Sequence, residues 1–146
     1  MVTLEYQINI NAPAQKVWDI LFGKETYNQW TKFFSPGSQM TTDWQIDGKT
    51  YFTDAKGDGM VSTIKSLNEP YEVIFSHLGM VMNGVEDTKS KEVIEWSGAQ
   101  EKYFLTEKDG FTELRAELQT DKNWEADMNN GFTKGFEVVK TLAEKA

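Results

Sequence analysis

His77 is the first residue to consider for chemistry, because imidazole is the side chain whose ordinary pKa lies near neutral pH. It is the only histidine, and the chain has no cysteine. A catalytic metal usually takes several histidine or carboxylate ligands, and a catalytic triad needs a nucleophile and an orienting acid beside the base. No spacing around His77 marks either set. We interpret His77 as a strand-end residue with an ordinary hydrogen bond, and we predict no catalytic residue and no metal site.

Two groups of acidic residues are further candidate sites. One is better explained as a hairpin turn than as an ion-binding loop, and the other as a solvated surface than as a catalytic pair. The segment DAKGDG, residues 54 to 59, matches a calcium loop at its acidic positions, but Lys56 and Lys65 stand where that loop needs ligands. It also lacks the Gly-Lys-Ser/Thr ending of a phosphate-binding loop, so we interpret it as a hairpin turn. The carboxylates between residues 86 and 95 alternate with lysines, which is typical of a solvated surface rather than of a glycosidase pair. We therefore predict no cofactor.

The composition limits the classes of partner. The chain has 146 residues, enough for one domain with its own core, and we assign residues 1 to 146 to a single domain. Its formal net charge is -8, so nucleic acid and anionic membrane surfaces would repel it on average. The amino terminus lacks the basic start and apolar run of a secretory signal, and no apolar stretch is long enough to cross a membrane. These features predict a cytoplasmic protein with no nucleic-acid partner and no membrane insertion.

Apolar spacing and turn residues define the first elements. In VTLEYQINI, residues 2 to 10, apolar side chains alternate with polar ones, which predicts a half-buried strand. Asn11 as a cap and Pro13 in the first turn predict a helix that Gly23 ends, and a second short helix follows in ETYNQWTKFF. From residue 38 to about 120, short alternating runs separated by turn sequences predict about six antiparallel strands.

The carboxyl end has a helical period. From Trp124 onward, apolar residues recur every three or four positions, which predicts one continuous helix from about residue 123 to 144. Gly131 and Gly135 lie on one face of that helix, and each costs roughly 1 kcal/mol relative to alanine. A helix that keeps both needs either close backbone approach or open space beside them. The order of elements predicts an α+β fold in which a curved antiparallel sheet of about six or seven strands wraps around the long helix.

Three motifs resemble those of a known superfamily, and together they span nearly the whole chain. They are INAPAQKVWDIL followed by YNQW, then GDGMVSTIKSLNEPYEVIFS, then GFTKGFEVVKTLAE. They resemble the opening, middle and closing motifs of the SRPBCC superfamily, which includes START lipid-transfer domains and birch-pollen-allergen-like proteins. Within it, the chain most resembles bacterial single-domain proteins similar to the carboxyl-terminal domain of the activator of the 90-kDa heat-shock protein ATPase. The resemblance implies a helix-grip fold with a largely apolar cavity between the concave sheet and the long helix.

The aromatic residues supply the candidate lining of that cavity. Phenylalanine, tyrosine and tryptophan make up 13% of the chain, more than a minimal core requires. We predict that the ligand-binding residues are Trp30, Phe34, Phe52, Phe75, Tyr103, Met128, Phe132 and Phe136. Many relatives have Gly-Trp where this chain has Gly131-Phe132, so any ligand role of that indole does not carry over. The alternative is a filled core with no ligand space, because apolar spacing alone does not reveal a void.

Three functions are compatible with these features. The first, which we favour, is binding of a small, mostly apolar molecule, lipid-like or aromatic, without covalent chemistry. The second, implied by the resemblance to the heat-shock protein ATPase activator, is a chaperone-interacting module that acts through its surface. The third is an enzyme of the aromatase/cyclase type. Several inward-facing polar residues with shifted pKa values would favour that third function.

Overall fold

The computed structural model describes residues 1 to 145, and Ala146, the last residue of the expected domain, lies outside the described residues. Within them the order is one strand, two short helices, a series of strands and a long helix, as the sequence predicts. The strands are β1 Val2–Ile10, β2 Gln39–Thr42, β3 Lys49–Thr53, β4 Gly59–Asn68, β5 Glu72–Met82, β6 Val85–Asp87, β7 Gln100–Lys108 and β8 Phe111–Thr120. The helices are α1 Ala14–Phe22, α2 Tyr27–Thr31, α3 Lys91–Trp96 and α4 Glu125–Glu144, and a 3-10 turn, Lys122–Trp124, precedes α4.

The strands form one open antiparallel sheet in the order β1-β8-β7-β5-β4-β3-β2, with β6 paired to β5. This architecture confirms the predicted α+β class, with eight strands in the described part of the chain rather than six or seven. α4 packs against β1, α1 and α2, so one face of the sheet and these helices enclose the core. None of the helices in residues 1 to 145 combines the length and the hydropathy that a membrane span requires.

α1 begins at Ala14 and has no asparagine cap. Pro13 precedes the helix with an extended backbone, and no side chain caps the first turn. The prediction that Asn11 caps α1 is wrong, because Pro13 occupies the cap position and Asn11 lies two residues earlier in the chain. The backbone N–H of Asn11 donates to Glu144 Oε2 at 2.8 Å. This hydrogen bond joins the end of β1 to the end of α4. Gly23 follows the last residue of α1, as predicted.

The glycines of α4 mark a close contact with α2. A Cβ atom at Gly135 would lie 2.6 Å from the backbone carbonyl oxygen of Trp30, and one at Gly131 would overlap the Phe34 ring. Close approach is therefore the reason for these glycines, and the open space expected beside them is filled by α2 and the residues after it. The helix remains continuous through both positions, as predicted.

Gly135→Ala should destabilise the protein more than Gly131→Ala. Alanine favours a helix over glycine by about 1 kcal/mol, but a methyl group at residue 135 meets the backbone of Trp30, and overpacking costs about 1 to 3 kcal/mol. At residue 131 the obstacle is the half-buried Phe34 ring, which can turn outward. Urea denaturation measures the difference, with Thr133→Ala on the exposed face of α4 as the control for helix propensity. A Gly135→Ala variant more stable than the wild type by about 1 kcal/mol, the full gain in helix propensity, would contradict the close contact.

Candidate functional site

The predicted ligand-binding residues come together between the sheet and α4. Their rings form one connected cluster, in which neighbouring centroids lie between 5.0 and 6.5 Å apart. Met128 packs against the same cluster. Phe75 is fully buried, and Phe132 and Phe136 are each 3% exposed. A ligand at this point would therefore have to displace side chains. The cluster contains Trp30, Phe34, Phe52, Phe75, Tyr103, Phe132 and Phe136.

Trp30 fixes α2 to two other helices. Its indole is 1% exposed, and its Nε1–H donates to the carbonyl oxygen of Leu21 in α1 at 2.9 Å. The ring also packs on Phe132 and Phe136 of α4, with centroid distances of 6.2 and 5.9 Å. A large buried ring with a satisfied N–H group contributes strongly to stability. In this conformation Trp30 is a structural residue.

Phe22, the last residue of α1, connects the buried cluster to the surface. Its half-buried ring packs edge-on against Tyr103 and Phe75, with centroid distances of 5.3 and 6.3 Å. On its other side the ring meets Trp18 and Trp44 at 4.9 and 5.5 Å. Phe22 therefore lies between the buried aromatic cluster and the half-buried Trp44, with the buried Trp18 ring beside it.

Two surface clefts meet at Phe22 and Trp44. The larger, of about 570 Å³, lies between the end of α1, the start of α2 and β2. The smaller, of about 370 Å³, lies on the other side of the same pair. None of the predicted ligand-binding residues lines either cleft. The larger cleft is also lined by Tyr27, Met40 and Thr42, and the smaller by Trp18, Asp19 and Glu69.

Trp44 has a left-handed backbone conformation, with φ at 55°. A bulky residue in this region costs about 1 to 3 kcal/mol. The loop after β2 supports it, because the backbone N–H of Trp44 donates to Thr42 Oγ1 at 3.1 Å and that of Asp47 donates to the Ile64 carbonyl at 2.9 Å. The loop thus holds the backbone of Trp44 in a strained conformation, with the indole in the walls of both clefts. Backbone strain of this kind is concentrated at functional sites.

A band of polar side chains crosses the sheet from the larger cleft. Thr42, Thr50, Ser62 and His77 lie opposite one another on β2, β3, β4 and β5. Thr50 and Ser62 are fully buried, and His77 is 6% exposed. Thr50 Oγ1 donates to Thr42 Oγ1 at 2.8 Å, and Ser62 Oγ lies 2.7 Å from His77 Nδ1. Polar groups therefore extend from the cleft into the centre of the sheet.

His77 lies in the interior of β5, so its interpretation as a strand-end residue is wrong. Its ring packs edge-on against Phe52, with the centroids 6.1 Å apart. Its Nε2 lies 3.5 Å from Glu101 Oε1, and the Tyr103 hydroxyl donates to the other oxygen of Glu101. These groups and Ser62 come from β4, β5 and β7, so no local sequence pattern marks them. Within residues 1 to 145, no three histidine or carboxylate side chains are grouped closely enough to hold a metal ion.

Two tyrosines near Glu101 have raised pKa values. Burial raises the pKa of Tyr103 well above its ordinary value, and the negative charge of Glu101 raises it further. Burial also raises the pKa of Tyr27, again with a contribution from Glu101. Both phenols therefore remain protonated at neutral and moderately alkaline pH. Tyr27 lines the larger cleft, so one of these two protonated phenols lies at that surface cleft.

Comparison with known protein families assigns this chain to one of them. Residues 11 to 140 match the family described as Activator of Hsp90 ATPase homolog 1-like protein. The chain belongs to this family. The resemblance to activator-like proteins is thereby confirmed. Among curated proteins, no sequence matches the chain significantly.

Solved structures share the fold at low sequence identity. The solution structure of the Aha1 dimer from Colwellia psychrerythraea has a TM-score of 0.72 and 16% identity, over 99% of this chain and 97% of that one. The crystal structure of CalU16 from Micromonospora echinospora has a TM-score of 0.67 and 14% identity, over 97% and 76%. DynU16, encoded in the dynemicin biosynthetic locus, has a TM-score of 0.70 and 14% identity, over 98% and 47%. At these identities the likeness shows the fold alone.

In this Activator of Hsp90 ATPase homolog 1-like chain, the clefts lie at residues that the sequence analysis did not select. Phe22 ends an amphipathic helix, and its apolar spacing does not separate a cleft wall from a core position. Trp44 had a usable signal, because it stands in TTDWQIDGKT between two predicted strands. A large aromatic residue among turn-forming polar residues is uncommon and indicates a role outside the regular core.

Stability should fall as the pH rises above about 10, the value near which tyrosine ionises in an unfolded chain. Tyr27 and Tyr103 keep their protons in the fold beyond that pH, so the unfolded state then binds fewer protons and is favoured. The stability that these protonated phenols contribute is fully present below the tyrosine pKa of the unfolded chain. It is lost as the pH rises towards the raised tyrosine pKa of the folded protein. Thermal midpoints between about pH 8 and about pH 11 should fall less steeply for Tyr27→Phe than for the wild type. Tyr71→Phe is the comparison, because Tyr71 is exposed and its pKa is raised by the nearby charge of Glu107 rather than chiefly by burial, so solvent screens the effect and the slope should change less. An unchanged slope in Tyr27→Phe would contradict the assignment.

Proposed function

We propose that the protein binds a small, mostly apolar aromatic molecule at the clefts beside Phe22 and Trp44. One observation carries this proposal. The Phe22 ring is a wall of both clefts and also a direct neighbour of buried Tyr103 and Phe75. Rotation of this one half-buried side chain would join the surface clefts to the aromatic cluster behind it.

The size and charge of the clefts favour a neutral aromatic ligand. The larger volume, about 570 Å³, lies within the range of about 300 to 1,000 Å³ that is common for small-molecule sites. Asp19 and Glu69 line the smaller cleft, where both accept hydrogen bonds from the Gln15 side chain. These carboxylates and the formal charge of -8 disfavour an anion such as a fatty acid, although Lys24 lies at the rim of the larger cleft. Aromatic rings prefer edge-to-face and offset contacts, which the walls of these clefts offer.

In this proposal the predicted ligand-binding residues have two different roles. Phe52, Phe75 and Tyr103 lie on the sheet behind Phe22 and would contact the ligand once Phe22 has turned away. The remaining residues pack α4 against α2 and the core, and they would support the site without touching the ligand. These supporting residues are Trp30, Phe34, Met128, Phe132 and Phe136.

An enzyme of the aromatase/cyclase type is the second candidate. The observation that favours it is the inward-facing network of Ser62, His77, Glu101 and Tyr103, in which a carboxylate accepts from a protonated phenol. Ser62 is fully buried and His77 nearly so, and this burial places simple binding first. Native mass spectrometry of protein from its own host would identify a bound molecule. Conversion of that molecule by the wild type but not by Glu101→Gln would establish the enzyme.

Family membership supports a chaperone-interacting module as a third candidate. Such a module would act through its surface rather than through a bound small molecule. The test is the ATPase rate of bacterial Hsp90 with and without the protein. A rate increase that Trp44→Ala retains would favour this function over ligand binding.

Trp44→Ala should weaken binding of the neutral fluorescent probe N-phenyl-1-naphthylamine by about 5- to 50-fold, because the variant loses an aromatic wall of both clefts. Fluorescence titration measures the affinity, and thermal denaturation shows that the variant is folded. Trp124→Ala is the matched control, since Trp124 is 57% exposed and lines neither cleft. No binding by the wild type, or equal loss in both variants, would refute the proposal.

A further inference from the structure

We propose that Thr42 donates a hydrogen bond to an oxygen of the bound molecule, so that the larger cleft selects aromatic ligands carrying a carbonyl over hydrocarbons of the same shape. This inference rests on the proposed function and specifies its ligand class. It follows from the hydrogen bonds of Thr42, from its position in the cleft, and from the rigidity of its surroundings.

The hydroxyl of Thr42 has its accepting positions filled. It accepts from the backbone N–H of Trp44 at 3.1 Å and from the Thr50 hydroxyl at 2.8 Å. A threonine hydroxyl has two lone pairs and one proton, so these two bonds use its acceptor capacity and leave the proton. Among residues 1 to 145, no group accepts that proton from Thr42. The side chain therefore presents a hydrogen-bond donor and no free acceptor.

Thr42 lies in the lining of the larger cleft, beside apolar side chains. The side chain is half-buried, and the cleft around it is formed by Phe22, Met40 and Trp44. Among the other polar side chains of the lining, Lys24 and Asn28 are exposed and remain hydrated. Ser38 is half-buried and donates to the Ser35 carbonyl oxygen, and Tyr27 is a half-buried phenol at the α2 side of the cleft. A hydrogen bond made away from water discriminates more strongly between ligands, because an unmatched polar group there loses its solvation.

The polar band explains why the donor has a fixed direction. Thr50 is fully buried and lies opposite Thr42 in the antiparallel pair of β2 and β3. Trp44, the second donor to Thr42, belongs to the strained loop described above. Two bonds from rigid backbone and core positions thus orient one hydroxyl beside the aromatic walls. The ligand class that fits is a neutral aromatic molecule with a ring-attached carbonyl oxygen.

A matched pair of probes tests the inference. 2-Acetylnaphthalene and 2-isopropylnaphthalene have similar shapes, but only the first has a carbonyl acceptor. In equilibrium dialysis, the ratio of ketone affinity to hydrocarbon affinity should be about 3- to 10-fold higher for the wild type than for Thr42→Val. In Thr42→Val this affinity ratio should fall to about the ratio given by partition of the two probes between water and an apolar solvent. Thr42→Ser, which retains the hydroxyl, should keep the wild-type ratio. Thermal denaturation of each variant establishes that it is folded.

Thr50→Val provides a second test that retains Thr42. It removes one donor to Thr42, so the hydroxyl gains a free lone pair and can also accept from a ligand. The affinity for 2-naphthol, relative to 2-acetylnaphthalene, should then rise by about 2- to 10-fold over the wild-type ratio. Equal preference for the ketone in wild type and Thr42→Val, or an unchanged ratio in Thr50→Val, would overturn the role of Thr42 and leave ligand binding intact. Failure of the wild type to bind either naphthalene would overturn both.

Discussion

The contact between Trp30 and Gly135 is the constraint on which the helical layer depends. Two helices can approach this closely only where one of them has no Cβ atom, and a Cβ at Gly135 would lie 2.6 Å from the Trp30 carbonyl oxygen. With α2 held there, the Trp30 indole reaches both Leu21 in α1 and the aromatic residues of α4. The space between α4 and α2 is filled as a result, and open volume is found instead at the corner of α1 and α2 beside β2.

Aromatic packing and buried polar groups occupy adjacent regions of the same sheet face. Phe52 and Phe75 pack edge-on at 5.1 Å, while His77, two residues beyond Phe75, belongs to a hydrogen-bonded network with Ser62 and Glu101. Burying such groups costs free energy unless each has a partner, and in this network the partners are present. A solid apolar core would have needed none of them. The network lies next to Thr50 on the neighbouring strand, and Thr50 in turn bonds to Thr42 in the lining of the larger cleft.

The fold and the family do not by themselves specify a function. Solved structures with TM-scores of 0.72 and 0.70 include an Aha1 dimer and a protein of a biosynthetic locus, at identities of 16% and 14%. One architecture can carry different activities, because activity depends on the side chains of a site rather than on the backbone. In this chain Phe22, Thr42 and Trp44 line the larger cleft, and the proposed ligand binding rests on these three side chains.

The sequence alone determined the alternation of β1, the apolar stripe of α4, the α+β class and the family, because these follow from local periodicity and from motifs along the chain. It identified Gly131 and Gly135 as special but allowed both close approach and open space, since a missing side chain is equally compatible with either. Only the tertiary structure decided between them, by placing Trp30 and Phe34 there. It also decided the polar band. The pairing of Ser62 with His77 depends on a register shift between Val61 and Ser62, and a shift of one residue changes which face every later side chain occupies. No local pattern encodes that register. The cleft beside Thr42 likewise depends on tertiary structure, because it needs the pairing of β2 with β3 and the position of α1 and α2 beside β2.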